Sequence, residues 1–146
     1  MQLALTVQNA TGRTGLPSRA VITRWAQAAL AGGGRGKAEV TVRLVGAAES
    51  ARLNKQFRAK SGPTNVLSFS YETPAGLAGD LVLCVPVVER EARSQNKPRR
   101  AHWAHLVVHG ILHLRGFDHV HDAGAQAMEA LEVRVLRRLG LSDPYA

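Results

Sequence analysis

Apolar positions recur along the chain in two periods, and the switching between them outlines the elements. Residues 3–7 read as a short strand. Residues 16–30 repeat with a helical period, with Pro17 near the start and Trp25 on the apolar side, until Gly32, Gly33 and Gly34 break the pattern. Residues 39–45 alternate, with Val40, Val42 and Leu44 on one face, which predicts a strand with one buried side. The helical period returns over 48–58, where Leu53 and Phe57 lie one turn apart, and Ser61-Gly62-Pro63 then makes a turn. Residues 66–71 form a strand with Val66, Ser68 and Ser70 on one face and Leu67, Phe69 and Tyr71 on the other. Residues 72–79 read as a loop, and the unbroken apolar run 81–85 as a strand covered on both faces.

Pro86 ends that run and opens a helix reaching Glu91. Pro98 stands where a first-turn proline starts the next helix, which runs to Arg115 and stops at Gly116. A last amphipathic helix covers 122–139, with Met128, Leu131, Val135 and Leu139 as its stripe and Gly140 after it. Strands and helices intermingle with no repeat, low-complexity tract or break in composition. The expectation is one mixed α/β (α+β) domain over residues 1–146, with four strands and five helices.

Composition narrows the class. With 146 residues, 45% hydrophobic and 21% charged, the chain is an ordinary globular mix and long enough to bury a core without a disulfide or metal. No apolar run approaches the ~20 residues of a membrane span, and no basic segment precedes an apolar core at the N-terminus. Cys84 is the sole cysteine, so no disulfide forms within the chain. These features predict a soluble, cytoplasmic protein with no membrane partner. Charge adds a partner class: Lys and Arg exceed Asp and Glu by 19 to 11, giving +8, and 15 of the 19 are Arg. The guanidinium fork suits phosphate, so a polyanion such as nucleic acid is expected, although solubility alone also accounts for a basic surface.

The six histidines, His102, His105, His109, His113, His119 and His121, fall within twenty consecutive residues. On a helix turning about 100° per residue, the first four share a sector ~80° wide on an otherwise apolar helix. His109 and His113 are i and i+4, so their rings can hold one ion; Gly116 lets the chain turn, and His119 arrives three residues later. Three imidazoles leave one position of a tetrahedral Zn²⁺ open, the arrangement of a catalytic rather than a structural site. The spacing H-x-x-x-H-x-x-G-x-x-H is that of the metzincin proteases, but their general base is a Glu directly after the first His. Here that position is Gly110, which argues against a peptidase of that mechanism. His102 and His105 could support the ligands, face substrate or stabilise the helix; His121 reads as a surface or helix-start residue.

The stretch RRAHWAHLVVHGILHLRGFDH, residues 99–119, closely resembles the YbeY family of bacterial endoribonucleases, whose signature H-G-x-L-H-L-x-G-[YF]-D-H is matched at every fixed position from His109 to His119. The segments LNKQFRAKSGPTNVLSF, GDLVLCVPVVEREA and LGLSDPY fit as well. The resemblance implies a mixed four-stranded sheet surrounded by helices, and a metal assigned as zinc on His109, His113 and His119. It implies cleavage of single-stranded RNA, with a role in maturing the 3′ end of small-subunit ribosomal RNA and in ribosome quality control. The expected partners are ribosomal RNA and the small ribosomal subunit, with ribosomal proteins or assembly GTPases beside them.

The family's functional arginine maps to Arg58, expected to be catalytic and to bind substrate phosphate. Many members carry Lys where this chain has Gly62; a contact to RNA there would be lost or supplied by Lys60. Asp118 could accept an imidazole N–H beside His119 or cap the turn. Asp80 reads as structural or as a support to site residues rather than as catalytic, and Cys84 as an inert core thiol. Two other readings stay open: a metal hydrolase of peptides or small molecules, and a non-catalytic RNA-binding assembly factor whose metal is structural.

Overall fold

The structure, a computed structural model, describes residues 1–74, 76–117 and 122–146. Four strands, β1 (Gln2–Asn9), β2 (Lys37–Val45), β3 (Val66–Thr73) and β4 (Gly76–Cys84), form one mixed sheet in the order β1-β2-β4-β3. β1 and β4 run parallel to β2, and β3 pairs antiparallel with β4. The helices are α1 (Arg19–Leu30), α2 (Ala47–Arg58), α3 (Val85–Ser94), α4 (Arg99–Leu114) and α5 (Asp122–Arg138). The mixed four-stranded sheet with five helices is the expected fold class.

Strand alternation divides the core in two. Ala38, Val40, Val42 and Leu44 of β2, with Leu81 and Leu83 of β4, point to the face covered by α1 and α4, and form the main core with Trp25, Trp103 and Ile111. Val82 and Cys84 point the other way, into a smaller cluster with Val45, Leu67 and Val87, against which Leu53 of α2 packs. Both faces of β4 are therefore covered near its C-terminal end, which is why that run reads as continuously apolar. α4 is buried on nearly every side, so its histidine row is the polar seam of an internal helix.

The start of α1 and the connection from β3 to β4 differ from the sequence pattern. α1 begins at Arg19 rather than residue 16, because the Ser18 side chain caps it by accepting from the Val21 N–H at 3.2 Å. Residues 72–79 are mostly strand: Thr73 pairs with Gly76, so β3 and β4 make a tight hairpin. The glycines that suggest a loop serve close packing instead. A Cβ at Gly79 would meet Leu114 Cδ2 at 2.5 Å and the Phe69 carbonyl oxygen at 2.7 Å.

Candidate metal centre and active site

α4 carries the histidine row past two carboxylates. His102 is buried, with Nε2 3.0 Å from Oε1 of Glu91 on α3. Asn65 Nδ2 donates to the same oxygen at 3.1 Å, and Cys84 N donates to the Asn65 carbonyl at 2.9 Å, so the entry to β3 is tied to α3 and α4. One turn on, His105 Nε2 lies 2.8 Å from Oε2 of Glu132, which reaches in from α5. His109 Nδ1 lies 2.6 Å from Oε1 of the same carboxylate, and Tyr145 OH donates to Oε2 at 2.6 Å.

Glu132 is fully buried. Burial pushes its carboxyl up, but the hydrogen bonds from His105, His109 and Tyr145 outweigh that and hold it down at about 2. The Tyr145 hydroxyl is pushed well above its ordinary range, by burial first and by the neighbouring Glu132 second. Sequence periodicity misses Glu132 because it sits inside the α5 stripe with Met128, Val135 and Leu136. An acid in the middle of an apolar face is the signal that could have found it.

At the far end of the row, His113 Nε2 stands 3.1 Å from His109 Nε2. Two imidazole nitrogens at Zn–N distances of ~2.0–2.1 Å in a tetrahedral shell stand about 3.3–3.4 Å apart, so this pair is spaced to share one ion. His105, His109 and Glu132 also bring ligand atoms within 4.8 Å of one another, so the cluster as a whole offers donors that can hold a metal. His119, the remaining expected ligand, and Asp118 lie outside the described residues, as does His121.

The histidines open into a cleft of about 500 Å³ lined by Arg58, Asn65, Ser68, His105, His109 and Tyr145 among others. Arg58 ends α2, where Ala59 takes the left-handed conformation at φ 54° and turns the chain. The following loop is fastened by two buried polar side chains of α2: Ser50 Oγ bonds both the carbonyl (3.1 Å) and the N–H (3.0 Å) of Thr64, and Asn54 Nδ2 donates to the Gly62 carbonyl at 2.9 Å. Arg58 is exposed, lines the cleft and makes no ion pair among the described residues. Lys60 is exposed, two residues further along and outside the cleft lining. Tyr145 is drawn over the site by the C-terminal tail, where Lys97 Nζ donates to the Pro144 carbonyl at 2.8 Å.

Asp80, Cys84 and Arg115 have structural settings. Asp80 lies on the opposite side of β4 and accepts from Tyr71 OH. Cys84 is fully buried. Arg115 donates to the Ala29 carbonyl at 2.8 Å, at the C-terminal end of α1.

A mixed sheet carrying a buried helix with a row of imidazoles, a cluster able to hold a metal and a cleft lined by an exposed arginine defines a candidate metal-dependent hydrolase of an anionic substrate. Comparison with known proteins gives the family. The endoribonuclease YbeY family matches residues 7–140. The endoribonuclease YbeY of Aromatoleum aromaticum is 59% identical, with 99% of this chain and 94% of that protein covered. The corresponding proteins of Alkalilimnicola ehrlichii and Methylococcus capsulatus are 56% and 52% identical, over 91% and 97% of this chain and 84% and 94% of theirs. Among solved structures, the solution structure of TM1509 from Thermotoga maritima matches with a TM-score of 0.61 at 25% identity, covering 97% of this chain and 98% of that one. The chain belongs to the endoribonuclease YbeY family of RNA-cleaving hydrolases. Among the described residues, no helix is long and apolar enough to cross a membrane.

Proposed function

We propose that this chain, acting as one domain over residues 1–146, is a metal-dependent endoribonuclease selective for single-stranded RNA. We assign it to the cytoplasm, to maturation of the 3′ end of small-subunit ribosomal RNA and to ribosome quality control. Its partners in this reading are the small ribosomal subunit, its proteins and assembly GTPases. The observation that carries the reading is the pairing of His109 and His113, Nε2 atoms 3.1 Å apart, with Arg58 on the same cleft. His109, His113 and His119 would hold one zinc ion, and Asp118 would support His119. When bound, the ion would supply Lewis-acid stabilisation of phosphoryl oxygens and activation of water. Arg58 binds the phosphate with its guanidinium fork and stabilises the negative charge that develops during cleavage. Lys60, on the loop beyond, adds a contact to the RNA backbone. Burial of the histidine row against α3 and α5 fixes the rings before substrate arrives.

Gly110 weighs against the peptidase reading, because its position faces Leu81 in the core rather than the cleft and carries no base. The test is incubation of purified protein with single-stranded RNA, double-stranded RNA and casein. Cleavage of single-stranded RNA alone supports the proposal; casein cleavage supports a peptidase, and cleavage of neither supports a binding factor with a structural metal. A His109→Ala preparation run in parallel controls for contaminating nuclease.

A further inference from the structure

Glu132 is the most deeply buried charged side chain among the described residues, and α5 needs no charge there to pack. An apolar residue would continue the stripe of Met128, Val135 and Leu136 without the desolvation penalty of a carboxylate. Both oxygens are instead committed to the histidine row. Oε1 takes His109 Nδ1 at 2.6 Å, and Oε2 takes His105 Nε2 at 2.8 Å and Tyr145 OH at 2.6 Å.

We propose that Glu132 is a positioning residue for His109: its carboxylate fixes the tautomer and ring angle that turn His109 Nε2 toward His113. Where Oε1 accepts from the neutral imidazole of His109 at 2.6 Å, the ring proton sits on Nδ1. That leaves the lone pair on Nε2, the atom 3.1 Å from His113 Nε2. A hydrogen bond of this kind to the remote nitrogen both orients a metal-binding imidazole and raises its basicity.

His105 and Tyr145 hold the other oxygen, so the carboxylate cannot rotate away from His109. The same contacts set Glu132 apart from the ligands it could otherwise join with His105 and His109, since each of its oxygens already accepts a proton donor. The C-terminal tail thereby acquires a task. Tyr145, brought in by the Lys97 contact to Pro144, braces a carboxylate on α5 that aims a ring on α4.

This inference rests on the metal reading of the preceding section, and the experiment separates the two. Zinc affinity is measured by competition with a chromophoric chelator for wild type, Glu132→Gln, Tyr145→Phe and His113→Ala. Long-range ¹H–¹⁵N spectra of the histidine rings report the His109 tautomer in the metal-free protein. Expected are His109 protonated on Nδ1 in wild type, a 10–100-fold loss of zinc affinity in Glu132→Gln, and a smaller loss in Tyr145→Phe. The visible spectrum of cobalt-loaded Glu132→Gln should keep the wild-type coordination number, while His113→Ala loses binding outright.

Unchanged affinity in Glu132→Gln overturns the inference and leaves the metal reading standing. Loss as complete as in His113→Ala, with an altered cobalt spectrum, makes Glu132 a ligand and also overturns it. Wild-type protein that binds no zinc overturns the metal reading itself. If Glu132→Gln does not fold, the wild-type tautomer still decides, because a proton on His109 Nε2 contradicts the proposed role.

Discussion

Gly110 of α4 packs directly on Leu81 of β4: a Cβ added at Gly110 would stand 2.7 Å from Leu81 Cδ2. Leu81 is fully buried, so its side chain has little room to yield. This close approach seats the histidine helix on the sheet, with His109, the preceding residue, lining the cleft. The small residue is a packing requirement as well as the absence of a general base.

Gly110→Ala should therefore destabilise the fold by about 1–3 kcal/mol, the usual cost of overpacking a well-filled core. Measured by chemical unfolding, the loss should shrink when the substitution is made in a Leu81→Ala background, because the two positions share space. Strictly additive losses would show that the contact does not limit the approach of α4.

Arg58→Ala should leave metal content and thermal stability near wild type and lower the rate of single-stranded RNA cleavage by ~10²–10³, as for the loss of one preorganised donor. Arg58→Lys should recover only part of the rate, since a point charge lacks the fork. Wild-type turnover in metal-loaded Arg58→Ala would remove this residue from the chemistry and direct attention to Lys60.

RNA affinity should fall as salt rises, because a chain of net charge +8 releases counterions when it neutralises phosphates. For single strands the slope of log K against log salt is about −0.7 per neutralised phosphate. Filter binding with a non-cleaving His109→Ala variant measures it, and a flat response would assign the basic surface to another purpose.

The Glu89–Arg99 pair should give a pH-dependent contribution to stability. Arg99 Nε donates to Glu89 at 2.6 Å and holds its carboxyl below the ordinary range, against the opposing effect of burial. A depressed folded-state value means the contribution is complete above the unfolded carboxylate pKa of ~4.3 and is lost as pH falls through the folded value. Arg99 is half exposed, so solvent screening limits the effect to on the order of 1 kcal/mol. Thermal unfolding of Glu89→Gln should thus fall below wild type at neutral pH, and the two curves should converge in acid.

The elements that position the centre were legible in the sequence because each rests on local periodicity. The i, i+4 spacing of His109 and His113 follows from helical geometry, and the buried character of α4 from its lack of a polar face other than the histidines. The β3–β4 hairpin was hidden because Gly76 and Gly79, which suggest a loop, are required by cross-strand and helix contacts that composition does not reveal. Glu132 was hidden for a related reason. Its partners lie 23 and 27 residues away on another helix, and the third is at the C-terminal tail, so only the packing of α5 on α4 brings them together. Arg58 occupied an intermediate place: resemblance singled it out from fifteen arginines, and the structure sets it on the cleft with the histidines.

The central claim, metal-dependent RNA cleavage at the histidine cleft, is tested most directly by chelation and add-back. Wild type and His113→Ala are assayed on single-stranded RNA before chelator, after chelator and after zinc is restored. Wild-type cleavage should be lost with chelator and recovered with zinc, and His113→Ala should stay inactive at every zinc concentration. Cleavage that resists chelation, or that proceeds equally in His113→Ala, would contradict the account.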